Sequence, residues 1–191
     1  HAIQNQHASV LDTMQYGRML VLDGMVQLTS GDEFVYHEML AHVPLHIHPH
    51  PCNVLIIGGG DGGTAREVLR YPQIEKVTLV EIDRRVVDVC RQYLPEVASS
   101  FDDPRMEVHF TDGVAYLLNK ENEYDVILVD SPEPIGQAER LFGGGRGGVE
   151  EGGGSGRGRG RCNVILSVGA EKSWLEVTNA RSNKLTALTT I

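Results

Sequence analysis

The chain has 191 residues, 41% of them hydrophobic and 6% aromatic, enough for one modest core. Its net charge of −9 argues against a nucleic-acid or anionic-membrane surface for the body of the protein. No apolar run approaches the ~20 residues of a membrane span, and the cysteines, Cys52, Cys90 and Cys162, show neither metal spacing nor an even disulfide set, which suits a reducing, cytoplasmic setting.

Residues 1–50 read as a small β-rich N-terminal unit. Strands are expected at His7–Leu11, Met19–Leu22 and Val26–Leu28, with Tyr16-Gly17 and Asp23-Gly24 as turn signals. Asp32–His42 then follows helical spacing, with Phe34, Val35, Met39 and Leu40 as its apolar face, and Pro44, Pro49 and Pro51 break the chain before the next strand. Residues 51–142 form a second unit in which strand and helix alternate. Strands at Val54–Ile57, Lys76–Val80, Met106–Phe110 and Tyr124–Val129 are separated by helices at Thr64–Arg70, Arg84–Tyr93 and Val114–Asn119. This alternation implies an α/β fold with a parallel sheet and right-handed crossovers. Residues 143–191 change character: Gly143–Arg161 is almost wholly Gly, Arg, Glu and Ser, and reads as a low-complexity, disordered Gly/Arg-rich tail. Short strands at Val164–Val168 and Trp174–Val177 fit its composition without giving it a domain pattern.

The strand Val54–Ile57 runs straight into Gly58-Gly59-Gly60-Asp61-Gly62-Gly63, in which Gly58, Gly60 and Gly63 fit G-x-G-x-x-G. Glycines permit a tight turn and close approach of a ligand to the backbone. Asp61, however, places a carboxylate where a phosphate binder would want only N–H groups, and so points to a cationic ligand group. Glu81 ends the next strand, roughly twenty residues on, where an acid can hold a ribose. The four strands end at Gly58, at Glu81, near Asp112-Gly113 and at Asp130, so acids and glycines converge on one rim beyond the carboxyl ends of the strands. Asp130-Ser131-Pro132-Glu133-Pro134 adds two carboxylates on a loop stiffened by prolines, suited to holding amines and accepting a proton from one of them. The alternating His42, His46, His48 and His50 lie among prolines with no acid or cysteine near them in sequence, and no metal site is expected there.

These residues together resemble the spermidine synthases, the polyamine aminopropyltransferases. The resemblance is carried by Leu22-Asp23-Gly24-Met25-Val26-Gln27, by Asp32 to Glu38, by Leu55 to Gly63, and by Val80-Glu81-Ile82-Asp83. It continues collinearly through Asp112-Gly113, Asp130 to Glu133, Pro134-Ile135-Gly136 and Ala138-Glu139-Arg140-Leu141-Phe142, covering about residues 3–142. It implies a small β-domain on a Rossmann-like, methyltransferase-type domain. It also implies transfer of an aminopropyl group from decarboxylated S-adenosylmethionine to putrescine, giving spermidine and 5′-methylthioadenosine, with no metal and no permanently bound cofactor. By the same resemblance Asp130 is the catalytic base and Tyr36 positions the attacking amine. Gln6 and His37 contact the donor or the polyamine, Asp61 binds the donor's ammonium, Glu81 the ribose, and Asp112 and Gly113 the adenine. Glu133 binds an amine where the family usually has Asp. Homo-oligomers are implied as well.

Past Phe142 the resemblance stops, so the sheet is expected to be incomplete, with Val126–Val129 as an uncovered edge and a weak enzyme as the result. The alternatives are a putrescine N-methyltransferase on the same scaffold, a non-catalytic nucleoside-binding remnant, and an NAD-dependent dehydrogenase, which Asp61 disfavours.

Overall fold

The computed structural model describes residues 7–117 and 123–131, and the backbone of three further segments, Val164–Gly169, Lys172–Asn179 and Leu185–Thr189. Gln6, Glu133 and the Gly143–Arg161 stretch lie outside the described residues.

The chain opens with an antiparallel three-stranded sheet of β1 (Ala8–Thr13), β2 (Gly17–Leu22) and β3 (Met25–Thr29). Asp23 and Gly24 both take positive φ, 49° and 82°, which is the two-residue hairpin geometry that matches strand twist. Leu20, Leu22 and Leu28 of this sheet are buried against Val86 and Cys90 of helix α3 (Arg84–Tyr93) and against Leu94, which follows it, and this contact joins the sheet to the body of the molecule.

The second sheet contains β4 (Asn53–Gly58), β5 (Lys76–Glu81), β6 (Met106–Phe110), β7 (Val126–Asp130), β8 (Val164–Gly169), β9 (Lys172–Asn179) and β10 (Leu185–Thr189), in the order β10-β9-β8-β7-β4-β5-β6. The strands from β8 through β7, β4 and β5 to β6 are parallel, and β9 and β10 add antiparallel pairs. Alternate strand residues serve the two faces. Val54, Ile56, Val77, Leu79, Val126 and Leu128 pack under α1 (Glu33–Ile47) and α2 (Gly63–Leu69), whereas Leu55, Ile57, Val80 and Ile127 meet Leu117 of α4 (Gly113–Leu117) and Tyr124 on the opposite face. Strand order leaves β4 in both directions, toward β5 and toward β7. The boundary between β4 and β7 is therefore the topological switch point, where a crevice opens beyond the carboxyl ends.

Three expectations change. Helix α1 does not stop before Pro44 but runs through it to Ile47, with the His48 N–H donating to the Pro44 carbonyl at 3.1 Å. Its buried stripe is Glu33, His37, Leu40, Ala41, Pro44 and Leu45, while Phe34, Val35 and Met39 face out. Two polar side chains have taken the inward positions because they find charged partners there. The strands expected at Val164–Val168 and Trp174–Val177 fall within β8 and β9, and β10 follows them. Finally, Val126–Val129 is not a sheet edge: β8 pairs with it from Val126↔Val164 to Val129↔Ser167.

Candidate functional site

The crevice at the switch point is lined by the loop after β4, the end of β7, and the first two turns of α1. Register sets its geometry, because Gly58 pairs with Asp130 across the β4–β7 ladder. The Gly59 N–H then donates to the Asp130 carbonyl at 2.9 Å, tying the loop to the neighbouring strand. Glycine is required at several points for different reasons. Gly58 turns the chain at φ 81°, and a Cβ there would lie 1.9 Å from the Asp130 carbonyl oxygen. Gly60 and Gly63 leave room for neighbours instead. A Cβ on Gly60 would meet Glu81 Oε2 at 2.8 Å, and one on Gly63 would sit 2.3 Å from the His37 ring.

Asp130 is the centre of the arrangement. The Tyr36 hydroxyl donates to its Oδ1 at 2.9 Å, and the Thr64 hydroxyl donates to its Oδ2 at 2.6 Å. Burial and the nearby Asp61 carboxylate raise the Asp130 pKa, against the opposing pull of His37, Thr64 and Tyr36. The shift moves a carboxyl toward the range of an effective base. Tyr36 is itself raised, by burial and then by the Asp130 charge, so it remains a phenol and a donor.

Behind this pair lies a chain of charges. Arg66 clasps Glu33 in a bidentate pair, Nη1 to Oε1 and Nη2 to Oε2, both at 2.9 Å. Glu33 Oε2 faces His37 Nδ1, and His37 Nε2 lies 3.3 Å from Asp61 Oδ1. Both ring nitrogens thus face carboxylate oxygens, and both must carry protons to satisfy them. Burial alone would lower the His37 pKa, but Asp61 and Glu33 outweigh it and push it up to about 10. Burial would raise the Asp61 pKa in turn, and the charge and hydrogen bond of His37 overcome it, keeping Asp61 low and ionised. A His whose folded pKa exceeds its unfolded value of 6.5 contributes stability that is complete below about pH 6.5 and is lost as pH rises through about 10. Stability measured by urea denaturation should accordingly decline across that window. His37→Gln should remove this decline, and an unchanged slope in that variant would disprove the charged state.

Asp61 Oδ1 also accepts from the Gly63 N–H at 2.7 Å, occupying a donor that a pyrophosphate would need at the start of α2. Glu81, buried at the end of β5, receives the Gly60 N–H on Oε2 at 3.1 Å and the Asp83 N–H on Oε1 at 2.9 Å. Burial raises its pKa in spite of these donors. Asp112 is exposed and caps α4 through the Ala115 N–H at 2.9 Å, and Gly113 lies against Ile57, where a Cβ would meet Cγ2 at 2.4 Å. The structure therefore brings Tyr36, His37, Asp61, Glu81, Asp130 and the glycine loop to one rim, with Asp112 and Gly113 beside it at the end of β6.

Three residues of this network were not singled out from the sequence. Glu33 and His37 stand four apart in a helical stretch, a spacing that puts them on one face and can be read. Arg66 and Thr64 reach the site only through long-range packing and carry none. The ligand atoms of His37, Asp61 and Asp130 lie within 4.8 Å of one another, and both His37 nitrogens are already engaged by Glu33 and Asp61. The histidine series is less isolated than its sequence suggests: His42 Nε2 lies 3.4 Å from Glu67 Oε2. Glu67 is also ion-paired with Arg66 and Arg70.

Comparison with known proteins yields two family models. One, described as the spermine/spermidine synthase domain, matches residues 33–146, and the other, the spermidine synthase tetramerisation domain, matches residues 4–30. Polyamine aminopropyltransferase from Moorella thermoacetica is 58% identical over 137 residues, 72% of this chain and 48% of that protein. The enzyme of the same name from Bacillus mycoides is 56% identical over 137 residues, covering 72% and 50%. The chain spans about half the length of the curated relatives it matches. Among solved structures, a spermidine synthase in complex with the transition-state analogue AdoDATO shares 46% identity at a TM-score of 0.68, over 73% of this chain and 48% of that one. Spermidine synthase from Thermotoga maritima shares 38% at a TM-score of 0.72, over 86% and 53%.

Proposed function

Because the chain belongs to the spermine/spermidine synthase family, we propose that its rim site performs aminopropyl transfer from decarboxylated S-adenosylmethionine to putrescine. The observation that carries this reading is the Asp130 carboxylate gripped by two hydroxyls at the switch point, with the ionised Asp61 beside it and Glu81 across the glycine loop.

The donor is a sulfonium and already a good leaving group, so the protein has to supply orientation and a proton acceptor. Glu81 takes the ribose hydroxyls, Asp112 and Gly113 border the adenine, and Asp61 receives the ammonium of the aminopropyl arm. Tyr36 positions the acceptor amine, Gln6 and His37 contact the donor or the polyamine, and Glu133 binds an amine, with Gln6 and Glu133 outside the described residues. The acceptor amine surrenders a proton to Asp130, and its lone pair forms the new C–N bond. The C–S bond breaks with its electron pair going to sulfur, which leaves a neutral thioether. No step calls for a metal or a permanently bound cofactor. The three-stranded sheet of β1, β2 and β3 joins copies of the chain into a homo-oligomer, in the cytoplasm.

Titration calorimetry with methylthioadenosine, beside a direct assay of spermidine formation, tests the reading. Nucleoside binding without affinity for NAD is expected, since Asp61 stands where a pyrophosphate would lie. Glu81→Gln should weaken methylthioadenosine about ten- to a hundredfold, the worth of a hydrogen bond to a charged group. Equal affinity for NAD, or a folded chain with no nucleoside affinity, would sink it.

A further inference from the structure

We propose that Thr64 is a positioning residue for the reaction: its hydroxyl clamps Asp130 Oδ2 and holds the carboxylate charged, in the orientation that accepts the amine's proton. The inference rests on the aminopropyl-transfer reading and adds to it a residue on α2.

Thr64 is fully buried, with 0% of its surface exposed. A hydroxyl in such a place costs free energy unless it is hydrogen-bonded, and a valine would fill the same volume without that cost. The donor is directed at Asp130 Oδ2 at 2.6 Å, a shorter contact than the 2.9 Å made by Tyr36 on the other oxygen. The two hydroxyls also differ in exposure. Tyr36 is 39% exposed at the rim, on the side open to a substrate, whereas Thr64 has no exposed surface. The groups facing Asp130 are Tyr36 and His37 from α1, Asp61 from the glycine loop, and Thr64 from α2. Burial and Asp61 favour the neutral acid, and the hydroxyls and His37 favour the anion. In the transfer step the amine proton ends on Asp130 as the C–N bond forms and the C–S pair moves to sulfur. An Asp130 already protonated cannot take part, so the anion-favouring donors set the lowest pH at which the step runs.

The test compares the chain with Thr64→Val and Thr64→Ser. The Asp130 carboxyl titration is followed by carbon-13 NMR, and kcat/KM for spermidine formation is followed against pH. Thr64→Val is expected to move the titration midpoint up by about one to two units, the worth of one hydrogen bond to a charged group. The acid limb of the rate profile should move with it, and Thr64→Ser should restore both. A valine variant that loses only thermal stability while its midpoint stays in place would overturn the proposal. So would a serine variant that behaves like valine. If the unmodified chain forms no spermidine while the midpoint still moves with valine, the clamp is upheld and the transfer reading fails.

Discussion

Asp130→Asn is expected to slow aminopropyl transfer about 10²–10⁴-fold, the usual worth of a positioned base, while methylthioadenosine affinity stays nearly unchanged. The amide keeps the shape of the carboxylate and can still accept from Tyr36 or Thr64 through its oxygen. It cannot take up a proton from an ammonium at neutral pH. Asp130 is also the acid most firmly fixed on the rim, by its ladder position opposite Gly58 and by hydroxyls on both oxygens. The measurement is an initial-rate assay with putrescine and decarboxylated S-adenosylmethionine, on this chain completed by the C-terminal half of a full-length relative. A variant turning over at the unmodified rate would transfer the role to Glu133.

Gly58→Ala is expected to cost roughly 3–5 kcal/mol of folding stability, at the upper end of single substitutions. Left-handed backbone accounts for about 1–2 kcal/mol of that. The remainder comes from a Cβ 1.9 Å from a carbonyl oxygen that belongs to backbone and already accepts the Gly59 N–H. Gly24→Ala separates the two causes, because its φ of 82° is almost the same and nothing lies within 4 Å of the added carbon. Gly24→Ala should therefore lose only the backbone portion. Urea midpoints for the two variants decide the matter, and equal losses would mean that the contact with Asp130 is not the cause.

Much of the fold can be read along the chain, because buried parallel strands such as Val54–Ile57 and Val126–Val129 are continuous apolar runs that end in glycine or acid. The rim could be read for the same reason, since each of its acids follows one of those runs. Helix α1 shows where such reading fails. Its most apolar stripe, Phe34, Val35 and Met39, is outward, and the inward face carries Glu33 and His37, whose burial is favourable only because Arg66 and Asp61 meet them from other elements. Periodicity cannot register a partner thirty residues away. Thr64 was invisible on the same ground, as a residue of ordinary appearance made significant by a strand that comes 66 positions later. Val164–Val168 and Trp174–Val177 are readable as short apolar runs and fall within β8 and β9, whereas Leu185–Thr189 of β10 alternates too weakly to announce a strand.

The ladder pairing of Gly58 with Asp130 has a kinetic meaning. The glycine loop and Glu81 are separated from Asp130 by the whole of α3, β6 and α4, and they meet it only when β7 docks beside β4. Closing so long a loop is among the slower events available to a folding domain. Residues of the nucleoside half, from the glycine loop to Glu81, are close in sequence and can approach native geometry early. The proton acceptor cannot. Nascent or partly folded chains would thus bring the glycine loop and Glu81 together before Asp130 joins them, and competence for chemistry would wait on the docking of β7 beside β4.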